Sequence, residues 1–370
     1  MFYLQINDHL DKLAAEYPNL VTVINAALSY EGRQIKYVRI STSRFENLRK
    51  PVIIIDAAVH AREWVTTPVA LYIINQLVVD IVDNQLTDEI DWIIIPLANP
   101  DGYEYSFDET RSTSHAGSGE CPGVDGNRNF DHHWGTSEAS SDPCSLIYEG
   151  PTAFSEPETR VIRDAVLQNV QRTALYISLH SYGNMFLYAW GNNGTLPSNG
   201  LILHLAGVQM ATAIDELALD KADRYIVGNA ASVLYYSTGT SRDWTRAAGI
   251  PLTYTLELPG YEYLFEVPAE YVEQIVTETW AGIVADQLIF TEQQIWSRVL
   301  MNRIFDIYYQ SGNDQIKVSR IEIKLILNES DVLAYSEDGV GQSKFTASIY
   351  MPANTFAVYY NLKIFTCSAP

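Results

Sequence analysis

An α/β fold on a mainly parallel sheet, with helices covering it, is the class this chain predicts, and three observations predict it. Strand-like and helix-like segments alternate over most of the 370 residues. Val52-Ile53-Ile54-Ile55 is apolar without a break, as expected of a strand buried on both faces. The residues that look chemical stand just past strand ends, where the ligand crevice of an open α/β sheet lies.

In chain order, apolar residues at helical spacing predict a helix over 9–17, stopped before Pro18. Residues 20–24, 35–40 and 52–59 read as strands, with Glu31-Gly32 a turn between the first two. A helix follows over 67–82, then a buried strand over 91–97. Asn99-Pro100-Asp101-Gly102 reads as turn chemistry, and 103–148, rich in Gly, Ser, Asp and aromatics, as a long loop of the kind that carries function. Ser155-Glu156-Pro157-Glu158 marks a helix start with Ser155 as its cap. A strand over 175–179 delivers His180; a helix covers 201–217, a strand 252–258, and an amphipathic helix 269–288. The texture then changes: 321–327, 345–350 and 355–365 read as strands with little helix between. The division expected is a main domain over 1–294 and a small β-rich appendage over 295–370.

The totals exclude some functions. A net charge of −21 with no basic stretch to offset it argues against a nucleic-acid partner. No apolar run reaches membrane-spanning length, so no membrane partner is expected. The start, Met1-Phe2-Tyr3-Leu4-Gln5, shows no signal peptide, which leaves an intracellular protein or a processed or truncated form.

Four short segments carry the chemistry. His60-Ala61-Arg62-Glu63 and His180-Ser181-Tyr182 supply two imidazoles and a carboxylate, the ligand set of an open catalytic zinc site. Asn127-Arg128-Asn129-Phe130 supplies a guanidinium suited to a carboxylate. Tyr254-Thr255-Leu256-Glu257 places a carboxylate on an apolar strand, where a general base would stand; the plainer reading is a residue facing outward. Asp56 and Asp125 are candidate acceptors for imidazole N–H groups. His132-His133 reads as a polar loop, since adjacent residues rarely share one metal.

With Ser29-Tyr30-Glu31-Gly32-Arg33, Asn99-Pro100-Asp101-Gly102, Gly123-Val124-Asp125-Gly126-Asn127-Arg128-Asn129-Phe130, Gly150-Pro151-Thr152-Ala153-Phe154-Ser155-Glu156-Pro157 and Asp243-Trp244 added, the chain resembles the zinc carboxypeptidases of the pancreatic A/B type, in their insect digestive branch. The likeness runs over residues 4–288. It implies an eight-stranded mixed sheet and one Zn2+ per chain, held by His60, Glu63 and His180. It implies Asn127 and Arg128 on the substrate's terminal carboxylate, Tyr235 as the mobile tyrosine that closes over it, and Glu257 as general base. Arg62 and Tyr182 fall in substrate subsites. Cys121 and Cys144 correspond to the family's disulfide, which implies an oxidising compartment and a secreted protein, with signal peptide and propeptide not present in this chain; Cys367 lies outside the likeness. Implied partners are peptides with a free C-terminus, proteinaceous carboxypeptidase inhibitors and the protein's own propeptide.

Two departures matter. Before Asp243-Trp244, at the floor of the pocket for the departing side chain, this chain has Arg242, where the family carries an apolar residue or an aspartate. A buried cation needs a partner, and a substrate Glu or Asp side chain would be one; otherwise Arg242 turns to solvent or pairs with a neighbour such as Glu266. The segment 106–112 is shorter than the family's and lacks the arginine that stabilises the oxyanion, with Arg111 a possible substitute. The expectation is a zinc exopeptidase releasing single C-terminal residues, Glu or Asp preferred. Its rival is a catalytically impaired relative that binds zinc and peptide C-termini.

Overall fold

The computed structural model describes residues 2–79, 85–107, 121 and 123–290, and beyond them the backbone of five strands. Helix α1 (Tyr3–Glu16) buries Ile6, Asn7, Leu10 and Leu13, one stripe at helical spacing. It begins six residues before the stretch whose periodicity announced it, because the Gln5 side chain reaches back to the Phe2 N–H at 2.9 Å and caps the first turn. Strands β1 (Val21–Leu28), β2 (Gln34–Ile40) and β3 (Val52–Ala57) follow, then α2 (Thr66–Val78), the short α3 (Gln85–Glu89) and β4 (Asp91–Ile95). All six residues of β3 and all five of β4 are buried, the apolar runs 52–55 and 92–95 together with Asp56 and Asp91.

Asn99-Pro100-Asp101-Gly102 is not a turn that ends structure. It opens helix α4 (Pro100–Tyr105): the Asn99 carboxamide caps by accepting from Gly102 N, and Pro100 occupies the first turn. Helix α5 (Pro157–Asn169) has Glu156, not Ser155, at its cap position, because Ser155 Oγ instead donates to Glu156 Oε1 and accepts from Asn129 Nδ2. Next come β5 (Thr173–Ser181), β6 (Met185–Tyr188), α6 (Gly200–Leu217), β7 (Ile226–Asn229), α7 (Ala230–Val233), α8 (Ser241–Ala247), β8 (Leu252–Leu258) and α9 (Ala269–Phe290).

The first eight strands form one sheet in the order β1-β2-β4-β3-β5-β8-β6-β7. Its middle, β4-β3-β5-β8, is parallel; β1, β2 and β6 join antiparallel, so the sheet is mixed. Ile54, Ile93, Tyr176 and Ile162 of α5 pack in one core cluster on one face. Backbone contacts divide the chain into two compact units, 1–285 and 286–370. In the second, β10 (Ile316–Leu327) pairs antiparallel with β13 (Ala357–Ser368), and β11 (Leu333–Ser336), β12 (Lys344–Met351) and β9 (Arg303–Gln310) make a three-stranded sheet. Among the described residues no helix is long and apolar enough to cross a membrane.

Candidate metal centre and substrate pocket

The turn after β3 brings its two polar residues together. Glu63 N donates to His60 O at 3.2 Å, and Thr66, at the start of α2, donates through Oγ1 to Glu63 O at 2.8 Å. The same Thr66 oxygen accepts from Ala58 N at 3.1 Å, so one side chain closes the turn from both sides. His60 Nδ1 then lies 2.9 Å from Glu63 Oε1. His180, at the end of the neighbouring β5, places Nδ1 3.0 Å from Glu63 Oε2 and 3.2 Å from His60 Nδ1.

These three donors lie within 4.8 Å of one another and form the only such His/Cys/Asp/Glu group among the described residues. Two imidazole nitrogens and two carboxylate oxygens facing one point leave more lone pairs than protons can serve. That donor set fits Zn2+, which takes nitrogen and oxygen ligands and keeps an open position in catalytic sites. Burial opposes a charged His60, but Glu63 and Asp125 outweigh it and hold the ring well above the usual imidazole range. Burial likewise opposes a charged Glu63, and the two histidines override it and lower its carboxyl to about 2.

Behind the donors stand two carboxylates. Asp125 Oδ1 meets His60 Nε2 at 2.9 Å. Asp56 does not touch an imidazole: Ser178 Oγ donates to Asp56 Oδ1 at 2.8 Å and lies 3.1 Å from His180 Nε2. Asp125 also accepts from Asn127 N at 2.9 Å, which ties His60 to the short 3-10 turn Gly126–Arg128. In that turn Arg128 is 5% exposed, donates to Asn127 O at 2.8 Å, and leaves Nε buried with no partner among the described residues. Its Nη2 is 3.4 Å from Tyr235 Oη, and Tyr235 is half exposed. Gly239 backs this loop at φ +65°, where a Cβ would fall 2.2 Å from Arg128 O; only glycine fits so close.

Glu257 stands beside His180, its register partner across the β5–β8 pair. Burial first, then the charge of Glu63, pushes its carboxyl up to about 7, against the pull of His180, His60 and Arg242. Glu257 does not face outward into water; it is partly buried. Arg242, the second residue of α8, is 3% exposed and turned neither to solvent nor to Glu266. Its Nε donates to Asp243 Oδ1 at 3.0 Å, Nη1 to Thr255 Oγ1 at 3.2 Å and Nη2 to Thr240 Oγ1 at 3.4 Å. Thr255 and Glu257 are two apart on β8 and share a face, so Arg242 lines the same wall as Glu257.

Arg62 and Tyr182 meet at a residue the sequence did not flag. The Arg62 guanidinium carbon sits 4.2 Å over the Phe265 ring, and the Tyr182 ring centroid is 5.0 Å from it. Ser178 stands two residues before His180 on the same strand, a spacing that puts both on one face. His132 stacks on Trp190, with ring centroids 4.9 Å apart, outside the three-donor group. Cys121 and Cys144 are joined by a disulfide. Arg111 and the rest of 108–120 lie outside the described residues.

Comparison with known proteins agrees with this geometry. Carboxypeptidase B of Helicoverpa zea is 48% identical over 290 residues, 75% of this chain and 68% of that protein. The crystal structure of carboxypeptidase A from Helicoverpa armigera matches with a TM-score of 0.75 at 45% identity, covering 78% of this chain and 73% of that one. Bovine thrombin-activatable fibrinolysis inhibitor, in complex with tick carboxypeptidase inhibitor, matches at a TM-score of 0.71 and 27% identity, covering 77% of this chain and 95% of that one. The zinc carboxypeptidase family pattern matches residues 6–282, and this chain belongs to that family.

Proposed function

We propose that this chain is a secreted, zinc-dependent exopeptidase that releases single C-terminal residues from peptides and prefers Glu or Asp. The carrying observation is Arg242, an almost fully buried guanidinium on the wall shared with Thr255 and Glu257. Of its five N–H donors, three are engaged by Asp243, Thr255 and Thr240, which leaves two among the described residues to meet an incoming carboxylate. The names of the relatives do not decide this point, since both A and B designations occur among them.

The roles follow from position. His60, Glu63 and His180 would hold zinc, which supplies Lewis acidity toward the scissile carbonyl and toward water. Glu257, with its carboxyl pushed up to about 7, is suited to take a proton from water near neutral pH and return it to the leaving amine. Asn127 and Arg128 would fix the terminal carboxylate, and Tyr235 would close over it. Arg62 and Tyr182, packed on Phe265, would receive residues upstream of the bond. Residues 1–294 then serve as the catalytic domain, with 295–370 appended to it. A proteinaceous carboxypeptidase inhibitor is a fitting partner, as is the protein's own propeptide.

N-blocked peptides that differ only in a terminal Glu, Leu or Lys test this reading. Release of Glu first, abolished by a chelator and restored by zinc, is the expected outcome. Preference for Leu or Lys would remove the assigned role of Arg242. The shortened segment 106–112 supports a second reading, an impaired relative that binds C-termini without cleaving them. A missing oxyanion donor costs about 100- to 1,000-fold in turnover, so that reading requires a low kcat with KM little changed.

A further inference from the structure

We propose that Ser178 and Asp56 are positioning residues for His180, a relay that fixes which imidazole nitrogen faces the metal. The inference rests on the zinc reading and adds to it two residues that touch neither metal nor substrate. Asp56 on β3 and Ser178 on β5 are register partners on adjacent parallel strands, and His180 follows Ser178 by two on the same face of β5. Asp56 and Ser178 are both fully buried.

Proton counting sets the tautomer. A serine hydroxyl has one proton to donate, and that of Ser178 is given to Asp56 Oδ1 at 2.8 Å. Toward His180 Nε2, 3.1 Å away, the hydroxyl can therefore only accept. Nε2 must carry the proton, and Nδ1 keeps its lone pair toward His60 and Glu63. His60 reaches the same state by a direct contact, its Nε2 lying 2.9 Å from Asp125 Oδ1. Each imidazole is thus set by a carboxylate, one directly and one through a hydroxyl.

A purely structural role explains Asp56 poorly. It is a fully buried carboxyl in the middle of the sheet, where burying a charged group is unfavourable. Burial pushes this carboxyl above its usual range, while Tyr176 and Ser178 beside it pull the other way. An apolar residue would suit a strand buried on both faces better, unless the acceptor is needed.

The test is zinc affinity, measured by competition with a chromophoric chelator, for the wild type, Ser178→Ala, Asp56→Asn and the double variant. Outer partners of metal-bound histidines are worth about 10- to 100-fold in affinity; each single variant should lose about that much, and the double variant little more than the worse single one. The zinc-loaded wild type should show a hydrogen-bonded, exchange-protected His180 Nε2–H proton resonance, displaced or lost in Ser178→Ala. Removal of a packing group alone would not move that signal. Should Asp56→Asn not fold, Ser178→Ala decides by itself. A Ser178→Ala affinity within about threefold of wild type, against the expected loss, or an unmoved Nε2–H signal, overturns the relay. If the wild type binds no zinc, the parent reading falls and this one with it. Zinc lost in His180→Ala but kept in Ser178→Ala overturns the relay alone.

Discussion

At the amino ends of the central strands, Asp91 takes Lys50 Nζ at 2.9 Å, Arg172 Nη1 at 3.0 Å and the Ser41 hydroxyl at 2.6 Å, and Lys50 also donates to Thr87 O at 2.8 Å; at their carboxyl ends, His60 and His180 turn two nitrogens toward each other at 3.2 Å and Arg128 Nε stays unpaired among the described residues. Both ends bury charge. At the amino end every carboxylate oxygen meets a donor, so nothing is left for a ligand. At the carboxyl end two imidazoles converge on the one carboxylate of Glu63, and Arg128 Nε has no partner among the described residues. Buried polar groups are normally satisfied; where the protein leaves them open in a group, a ligand completes them. The difference is that between a closed ion cluster and a candidate ligand site.

The largest effect expected falls at the amino end. Asp91→Ala leaves Lys50 and Arg172 facing each other without their anion, and loss of one partner from a buried cluster costs about 3–5 kcal/mol. Thermal unfolding should show that loss, while zinc content per folded chain stays unchanged. A mild shift would mean the two ends differ less than their geometry states.

Arg242→Asp comes next and acts on function. It replaces attraction for a substrate carboxylate with repulsion, so the ratio of kcat/KM for Glu-ended over Lys-ended peptides should fall about 100-fold or more. Because Asp243 then loses its partner, Arg242→Gln is the gentler companion; it should erase the Glu preference without creating one for Lys. An unchanged ratio in either folded variant would place Arg242 outside the pocket.

Glu158 probes the middle ground, a buried acid outside both clusters. Burial pushes its carboxyl up to about 8, and it is 2% exposed with Oε2 unpaired among the described residues. Its folded pKa lies above the unfolded one, so the folded protein holds the proton longer and stability falls as pH rises from about 4.5 toward 8. Glu158→Gln should match wild type near pH 5 and exceed it increasingly up to pH 8 in Tm and in unfolding free energy, the latter by at most about 1.4 kcal/mol per pH unit. A Tm difference that stays flat with pH would show Glu158 already ionised in the fold.

The smallest effect belongs to Tyr235→Phe. The hydroxyl lies at 3.4 Å from Arg128, a long contact, and one such hydrogen bond is worth about 1 kcal/mol. KM should rise severalfold with the C-terminal preference intact.

Much of this was legible in the chain. Val52-Ile53-Ile54-Ile55 announced a strand buried on both faces, and His60 and His180 stood where strands end. Of the two candidate acceptors, Asp56 and Asp125, it is Asp125 that meets an imidazole directly. Other features needed the third dimension. Asn99-Pro100-Asp101-Gly102 has the same residue types whether it ends a strand in a turn or caps a short helix. Strands β6 and β7 are four residues each, too short for alternation to register. The charged partner of Arg242 is its own neighbour Asp243, a pairing that helical spacing argues against. Asp56, expected to accept from an imidazole N–H, instead accepts from Ser178, because strand register, which no single segment reveals, places that hydroxyl between them.

Metal analysis of the purified chain beside His180→Ala, with circular dichroism to confirm that both are folded, tests the open cluster most directly. The expected result is close to one zinc per wild-type chain and almost none in the variant at an unchanged fold. Full zinc occupancy in folded His180→Ala would contradict it, and with it the assignment of the carboxyl ends of β3 and β5 as a metal centre.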